Sequence, residues 1–514
     1  MTQLFKEIPL DMEIVQNMIT KTFGIKPDEI EWTELGENEG YLSTIYRVSI
    51  IWPNQRRDAD IKATSTPLPA TVVLKKPTQS KLLAAFDEMN TKLGGDNRTA
   101  LENGAQIQNG SKHEVCAKSH PNSCNQDGEE HDYSTGNKTR DKESDHNSED
   151  MAQKLAETGG LPDDAEMAFW MELLHSGHNH ECAAYDMFCA KSGSRPLPEF
   201  PVPITYRCHP NSPDRLDGYI VMEDLSSVGT LPDFVTGLSF QYLEIVFLKL
   251  ADLHAYGLLN PDWLNEGVGR LAPTPFFNNP QFIQKQIDLL HQRYGDIFPR
   301  SKFSHARLAP FLDRSRMENF ARYDPTRDYF PVLVHGDLWT NNIMVNKCEK
   351  EEKRNEKVDT NNQLTQVNSS GNKNTDCKQT SAKIVAFIDW QLSAIGPPVY
   401  DIIWLLSLST SANIRRAHTT ELLKRYYSRL IEKLREHHSN VDDRQERIFS
   451  YDQLLELYDK FFIFGVFNQL CQLPVMLETM ALPEQSKRIL AQRIADFVDD
   501  AFEVEQKHLL NDKN

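Results

Sequence analysis

The sequence predicts an α+β fold of two unequal parts, of which the first is small and contains a sheet and the second is large and mainly helical. Three short runs in the first part have the β-branched composition of strands: Tyr46–Trp52, Thr71–Lys76 and Gly218–Asp224. In the second part, apolar residues follow the three-and-four spacing of amphipathic helices over Tyr242–Leu253 and Leu422–Leu434. This change of pattern predicts a domain boundary between residues 1–226 and residues 227–514.

The charge balance excludes one class of partner. The chain has 514 residues, with 56 Lys and Arg against 74 Asp and Glu, so its formal net charge is −18. A surplus of negative charge repels a phosphate backbone. We therefore expect no nucleic acid partner.

Cysteine usage and the apolar runs indicate a cytoplasmic protein without a membrane span. The eight cysteines form no paired framework, and the first residues, MTQLFKEIPLDMEIVQ, lack the charged-then-apolar pattern of a secretory signal. The longest apolar stretch without charge, Phe461–Leu477, is too short to cross a bilayer. We expect a buried core helix there that is broken at Pro474. The sequence leaves the oligomeric state open.

Two tracts differ from the rest of the chain in composition. Residues 94–150 are dominated by Asn, Asp, Glu, Ser, Lys and Gly, and residues 349–380 have the same character. Neither tract holds enough apolar side chains to offset the entropy that is lost on ordering. Both are predicted to be disordered insertions in surface loops, one in each part of the chain.

The segment VHGDLWTNNIMV places polar side chains directly after a short apolar strand. Asp337 follows this strand, Asn342 comes five residues later, and Asp389 ends a second apolar strand, IVAFID. Without the intervening polar tract, the interval from Asp337 to Asp389 has hairpin length. The pattern therefore predicts that the two strands pair and bring Asp337, Asn342 and Asp389 to the same end of one small sheet.

A cluster of this kind is suited to phosphoryl transfer. The oxygens of Asn342 and Asp389 are hard ligands that Mg²⁺ accepts together with water and phosphate oxygens. Asp337 is then free to take a proton from an attacking hydroxyl group. The structural alternative is that His335, Asp337 and Asn342 cap a turn while Asp389 is an ordinary residue at a strand end.

The motif HGDLWTNN followed by IDWQ resembles the choline-kinase-like and ecdysteroid-kinase-like branch of the aminoglycoside phosphotransferase superfamily. The resemblance implies a two-lobed protein-kinase-like fold, with an antiparallel sheet and a helix in the N-lobe and a large, mainly helical C-lobe that carries the catalytic loop and the metal strand. It also implies ATP-dependent phosphorylation of a small-molecule hydroxyl. Where many of these kinases have Glu, this chain has Gln391, which weakens an inference to a cationic amino-sugar or choline acceptor.

The resemblance further implies a lysine and an acid that hold the nucleotide phosphates. Strand alternation puts Lys75 and Lys76 on opposite faces, and the strand pattern of the family favours Lys75. The matching acid is Glu181, in a segment with helical spacing. The alternatives are a solvated lysine on an edge strand and a glutamate on the surface.

A glycine-containing turn upstream resembles a nucleotide-covering loop. It holds Gly36 and Gly40, and Ser43 follows as a donor to phosphate. Because no GxGxxG or Walker sequence occurs, an ordinary hairpin is the alternative.

The resemblance assigns an inter-lobe hinge and two supporting residues as well. Met222, Glu223 and Asp224 match the hinge whose backbone binds adenine, and the alternative is a plain strand end. Asp401 begins an apolar helix, where it is expected to cap the helix or to brace the catalytic loop. His335 is given a structural role beside it.

Three functions come into question for a chain with these motifs. An active small-molecule kinase is favoured because no chemical part is missing. The runner-up is a catalytically silent nucleotide-binding scaffold, for which a lost lysine, base or metal ligand is the expected sign. A protein kinase is disfavoured because the chain has IDW in place of DFG and contains no APE. The acceptor itself is not identified.

Overall fold

The structure is a computed structural model. It describes residues 5–35, 43–53, 68–80, 163–188, 200–259, 269–270, 280–313, 332–347, 381–436, 450–480 and 482–511. The predicted insertions at 94–150 and 349–380 lie outside the described residues, as do Gly36 and Gly40.

The N-terminal part is built on a five-stranded antiparallel sheet with the order β2-β3-β4-β7-β5. Its strands are β2 (Glu29–Leu35), β3 (Ser43–Ile51), β4 (Thr71–Pro77), β5 (Thr205–His209) and β7 (Tyr219–Glu223). The three runs that the sequence predicted as strands all lie in this sheet, as β3, β4 and β7. Because β4 is in the middle of the order, both of its edges are paired, one with β3 and the other with β7.

Two helices and a short parallel ribbon complete this part. Helix α1 (Met12–Phe23) packs Val15 and Ile19 against Val48 and Val72 of the sheet in a separate small core. Helix α2 (Asp163–Phe188) packs against β4 and β5. The ribbon pairs β1 (Lys6–Glu7) with β6 (Arg215–Leu216).

The C-terminal part is mainly helical. Its helices are α3 (Phe240–Leu259), α4 (Pro280–Arg293), α5 (His305–Leu308), α6 (Tyr400–Leu408), α7 (Ala412–Glu436), α8 (Tyr451–Thr479) and α9 (Glu484–Asn511), with 3-10 turns at Ala309–Phe311 and Thr340–Asn342. The two amphipathic segments predicted from spacing are confirmed within α3 and α7, which pack against each other.

The predicted break at Pro474 is wrong. Helix α8 runs from Tyr451 to Thr479 with the proline inside it. Proline removes one helical hydrogen bond. Leu473 and Leu477, on either side of it, are fully buried in the main core, and this packing holds the helix together.

The predicted pairing of the two acid-bearing strands is also wrong. The strand before Asp337, β10 (Val332–Val334), pairs with β13 (Ala394–Gly396) and not with the strand before Asp389. That strand, β12 (Ile384–Phe387), pairs with β11 (Ile343–Asn346). The chain turns back at the 3-10 turn before β11, so β11, which follows Asn342, is the strand that pairs with β12. Two small sheets result, completed by β9 (Gly269–Arg270) and β8 (Gly229–Thr230).

The predicted fold class is confirmed. It is an α+β fold of two lobes, with an antiparallel sheet plus helix in the smaller lobe, a mainly helical larger lobe, and a hydrophobic core in each. The boundary between residues 226 and 227 stays a prediction. Within the described ranges, no helix combines the length and the apolar character that a membrane crossing requires.

A buried histidine in the core of the larger lobe makes stability depend on pH. His254 is fully buried, its Nδ1 shares a 2.7 Å hydrogen bond with the Tyr426 hydroxyl, and burial lowers its pKa from 6.5 to about 3. The unfolded chain therefore binds this proton first as the pH falls below about 6.5, and the free energy of unfolding decreases.

The slope of the free energy of unfolding against pH reflects the number of protons that the unfolded chain binds in excess of the folded chain. We expect His254→Asn to reduce this slope by up to about 1.4 kcal/mol per pH unit, which corresponds to one proton. Denaturant unfolding at several values between pH 7 and pH 5 measures the slope. The control is Tyr426→Phe, which removes the hydrogen bond but keeps the imidazole, and therefore keeps the slope. Equal slopes for wild type and His254→Asn would contradict the assignment.

Candidate functional site

A buried lysine of the sheet contacts two acids, one from helix α2 and one from the end of strand β12. Lys75 Nζ lies 2.7 Å from Glu181 Oε2 of α2 and 2.6 Å from Asp389 Oδ1, which follows β12. Lys75 is 6% exposed and Glu181 1% exposed, so these charges are largely removed from water. Burial acts to lower the pKa of Lys75, but the carboxylates of Asp389 and Glu181 outweigh it and raise the pKa. The lysine is thus a fixed cation.

The neighbouring lysine points the other way, as strand alternation predicts. Lys76 Nζ donates to the Leu216 carbonyl at 3.2 Å, on the face of β4 that meets β6. Of the two candidates, Lys75 is therefore the one that contacts the acids.

The Asp337 carboxylate, in the loop after β10, is held at both oxygens, one by a residue of the same loop and one by a residue of α6. Asn342 Nδ2 donates to Asp337 Oδ2 at 3.1 Å and to the Asp337 carbonyl at 2.8 Å. Trp404 Nε1 of α6 donates to Asp337 Oδ1 at 3.1 Å. Burial, followed by the charge of Asp389, raises the pKa of Asp337 to about 7, against the opposing effect of the two hydrogen bonds.

The same bonds orient the Asn342 amide. Both partners of its nitrogen are acceptors, so Nδ2 faces Asp337 and the carbonyl oxygen Oδ1 is the end left for another ligand. The Ile388 N–H donates to the Asn342 backbone carbonyl at 3.0 Å. Asp389, the next residue, is therefore beside Asn342.

Asp389 has an unusual backbone conformation. Its φ is +66°, and it is the one non-glycine residue with positive φ in the part of the chain that the structure describes. Aspartate is among the few residues that tolerate this region, at some cost in free energy. Strain of this kind persists where the surrounding contacts determine the conformation, as the Lys75 contact does here.

Asp401 of α6 holds the start of the loop after β10 through backbone N–H groups. Its fully buried carboxylate accepts the N–H of His335 at 2.7 Å and the N–H of Gly336 at 3.0 Å. Burial raises the pKa of Asp401 to about 7, although these N–H groups oppose the rise. The alternative expectation, a helix cap, is wrong: the N-cap of α6 is Val399, and no side chain caps it.

His335 ties the two acid-bearing strand ends together. Asp337 N–H donates to His335 Nδ1 at 3.3 Å, so the ring proton is on Nε2, which donates to the Ile388 carbonyl at 2.9 Å. Burial lowers the pKa of His335 to about 4, so the ring is neutral. This structural contact brings the ends of β10 and β12 together although the strands do not pair.

The predicted hinge residues have their polar groups engaged within the protein. The Glu223 N–H donates to the Ile204 carbonyl at 2.8 Å. The Asp224 carboxylate pairs with Arg47 Nε at 2.9 Å and accepts the Ser226 N–H at 3.0 Å. The adenine-binding role of Met222, Glu223 and Asp224 stays a prediction.

Ser43, the predicted phosphate donor, begins β3 opposite Pro77 of β4. Its predicted role is not tested by this position. Ser43 and the hinge thus stay predictions. The predicted site residues that the structure brings together are Lys75, Glu181, Asp337, Asn342 and Asp389.

Sequence reasoning missed Trp404, which contacts Asp337 in the site, and Arg47, which contacts Asp224 of the predicted hinge. Trp404 lies three residues after Asp401 on the same helix, and this spacing is a signal that could have found it. Arg47 holds Asp224 from β3, and nothing in its local sequence distinguishes it from other strand arginines.

The donor set fits a magnesium ion. Asn342 and Asp389 supply hard oxygen ligands, and Lys75 occupies only Oδ1 of Asp389. Mg²⁺ keeps several water molecules and often takes one or two protein ligands plus phosphate oxygens. Oxygen donors from Asn342 and Asp389, whose backbones are joined through the Ile388 N–H, beside a fixed cation are an arrangement that can hold a charged phosphate chain.

Comparison with protein families confirms the predicted resemblance. A model of the ecdysteroid kinase-like family matches residues 198–372 and 359–439. A curated relative from Caenorhabditis elegans, the uncharacterized kinase-like protein D1044.1, is 36% identical over 301 residues. The match covers 57% of this chain and 65% of the relative, so the chain spans less than two thirds of the relative's length. The resemblance to the ecdysteroid kinase-like family is thereby confirmed.

Solved phosphotransferase structures are similar at low identity. A protein assigned as an aminoglycoside phosphotransferase from Ralstonia eutropha JMP134 aligns with a TM-score of 0.41 and 11% identity, over 96% of this chain and 99% of that chain. The GDP and kanamycin complex of APH(2″)-IIIa aligns with a TM-score of 0.36 and 12% identity, over 96% of this chain and 98% of that chain. Neither alignment assigns a substrate to this chain.

The loop geometry predicts that Gly336 does not accept a side chain. Its φ is +85°, and a Cβ there would lie 1.9 Å from the Leu392 carbonyl oxygen. We expect Gly336→Ala to lower the free energy of unfolding by at least about 2 kcal/mol, because the clash is with backbone and the conformation is strained. Denaturant unfolding measures this.

The matched control is Gly177→Ala in the interior of α2. A Cβ there would meet Gln391 Cβ at 3.6 Å, which is an ordinary contact. Alanine is the better helix former, so this variant is expected to gain roughly 0.5–1 kcal/mol. If Gly336→Ala unfolded at the same denaturant concentration as wild type, the described loop conformation would be wrong.

Proposed function

We propose that this ecdysteroid-kinase-like chain is an ATP-dependent phosphotransferase whose acceptor is a hydroxyl group of a small molecule. The observation that carries the proposal is the meeting of Lys75, Asp337, Asn342 and Asp389 at one place, although they come from distant parts of the sequence. A fixed cation, a pair of metal-type oxygens and a separate carboxylate are the parts that phosphoryl transfer requires.

In this proposal Asp337 is the base. Its carboxylate accepts the proton of the acceptor hydroxyl while the hydroxyl oxygen bonds to the γ-phosphorus of ATP. The bond from that phosphorus to the bridging oxygen breaks, and ADP leaves with the electron pair. Because both carboxylate oxygens are held by donors, the base meets the hydroxyl in one orientation.

The cationic groups act on the phosphates. Lys75 would place positive charge against them, and Glu181 keeps its ammonium group directed into the site. Asn342 and Asp389 would hold Mg²⁺, which neutralises phosphate charge when it is bound. The negative charge on the transferred phosphoryl group would then be stabilised by groups whose positions are fixed before the reaction.

The sequence favours a small molecule over a protein as the phosphate acceptor, and the cytoplasm as the location of the protein. The chain lacks the DFG and APE motifs of protein kinases. Cys182, Cys208 and Cys471 are unpaired, which agrees with a reducing compartment. Gln391 in place of Glu argues against a cationic acceptor.

Replacing the base should separate chemistry from binding. We expect Asp337→Asn to lower the rate of ADP formation by roughly 100- to 10,000-fold, because asparagine accepts no proton. Binding of ATP and Mg²⁺ is expected to persist in this variant, and the thermal shift on adding both measures it. The control is Asp288→Asn at a remote surface ion pair, which should react like wild type. Normal turnover by Asp337→Asn would refute the assigned role.

Binding of the nucleotide should stabilise the fold and should require the metal ligands. At a ligand concentration of about 100 times Kd, ATP with Mg²⁺ is expected to add about 2.7 kcal/mol to the free energy of unfolding. Asp389→Asn keeps a residue that tolerates positive φ but loses the charge, so we expect a smaller shift. Differential scanning fluorimetry with Mg²⁺ and with EDTA measures both effects.

The same measurement distinguishes the runner-up. A thermal shift without ADP formation would support the silent scaffold in place of the kinase. A wild-type protein that shows neither a shift nor ADP formation would exclude nucleotide chemistry at this site.

A further inference from the structure

We propose that Trp404 is a positioning residue for the phosphoryl transfer, and that its indole N–H holds Asp337 in the orientation that meets the acceptor hydroxyl. This inference rests on the proposed function. The contact that carries it is the hydrogen bond from Trp404 Nε1 to Asp337 Oδ1, at 3.1 Å.

The bond matters because of what holds the other oxygen. Asn342 Nδ2 donates to Asp337 Oδ2, also at 3.1 Å. A carboxylate held at one oxygen can still turn about its Cβ–Cγ bond, whereas donors at both oxygens remove that freedom. The amide fixes one edge of the group, and the indole fixes the other.

Helix α6 supplies both this contact and the main-chain brace. Asp401 and Trp404 are three residues apart, so they lie on one face of the helix. Asp401 fixes the N–H groups of His335 and Gly336, directly before the base. One rigid element therefore sets both the path of the loop and the orientation of its side chain.

Packing fixes the indole in turn. Trp404 is 4% exposed, and its ring stacks on Tyr400 with a centroid distance of 5.9 Å and an interplanar angle of 17°. A donor that is locked by its neighbours loses little entropy when it binds. Trp404 is therefore organised before any substrate arrives.

The chemistry of indole suits this position. Its Nε1–H is a donor only, so it cannot compete for the proton that Asp337 takes up. It carries no charge, so it orients the carboxylate without forming the ion pair that a lysine or arginine would form. An ion pair of that kind would make Asp337 a weaker base.

The test is Trp404→Phe, which keeps an aromatic ring and removes the N–H. Water serves as the acceptor, so ADP and inorganic phosphate formed from ATP with Mg²⁺ are measured and no natural acceptor is needed. We expect kcat to fall about 10- to 100-fold, because the base is no longer held at both oxygens. The KM for ATP should not change, because Lys75 and Asn342 are not the partners of Trp404.

The matched control is Trp52→Phe. Trp52 is a buried tryptophan of the smaller lobe whose indole N–H donates to the Pro69 carbonyl at 2.8 Å. The control loses an equivalent buried hydrogen bond without touching the site. If Trp404→Phe and Trp52→Phe have equal kcat values, the inference is overturned.

A spectroscopic signature tests the contact without relying on turnover. The chain has seven tryptophans, so ¹⁵N-tryptophan labelling gives seven indole resonances. The Trp404 signal is the one that Trp404→Phe removes, and Asp337→Asn should shift it while the Trp52 signal stays in place. An unmoved Trp404 signal would overturn the inference.

The outcomes also separate this inference from the proposed function. Wild-type protein that forms no ADP overturns the proposed function and the role of Trp404 with it. Active wild type together with an equally active Trp404→Phe variant overturns only the role of Trp404.

Discussion

The rest of the structure depends on one buried cation that must have partners. Lys75 comes from the middle of the sheet, Glu181 from the helix that packs on that sheet, and Asp389 from a strand end in the larger lobe, 314 residues further along the chain than Lys75. An uncompensated charge in such a place costs several kcal/mol, so the three elements are held to a single relative placement. The two lobes are joined at the point where the proposed chemistry takes place.

The second constraint is the support of the loop between β10 and β11. Helix α6 holds its start through Asp401, and Ser409, just past the end of the helix, accepts the Thr340 N–H at 2.9 Å through its hydroxyl. Arg493 of α9 then donates to the Leu408 carbonyl at the C-terminal end of α6. This loop is thus supported by a helix whose own C-terminal end is satisfied by a buried guanidinium group.

Much of this arrangement could be predicted from the sequence, because the patterns concerned are local. Strand composition identified β3, β4 and β7, helical spacing identified α3 and α7, and alternation separated Lys75 from Lys76. Strand pairing could not be predicted in the same way. Hairpin length alone does not distinguish the strand before Asp337 from the strand after Asn342, and the 3-10 turn decides between them.

The same limit explains the errors that concern tertiary contacts. Propensity predicts that Pro474 ends a helix, but burial of the residues around it overrides propensity. The position of Asp401 at the start of an apolar helix predicts a cap, but its carboxylate accepts the N–H groups of His335 and Gly336 from the loop after β10. In each case the deciding partner is remote in sequence, so no local pattern contains it.

The brace formed by Asp401 has an evolutionary consequence. Its carboxylate binds peptide N–H groups, which every amino acid except proline supplies, so the identity of the side chain at position 335 is irrelevant to this contact. A change of Asp401 itself removes both bonds in a single step. For this contact alone, the loop side has to keep only its peptide N–H groups, whereas the helix side has to keep the Asp401 carboxylate. His335 and Gly336 are constrained separately, by the ring contacts of the histidine and by the backbone conformation of the glycine.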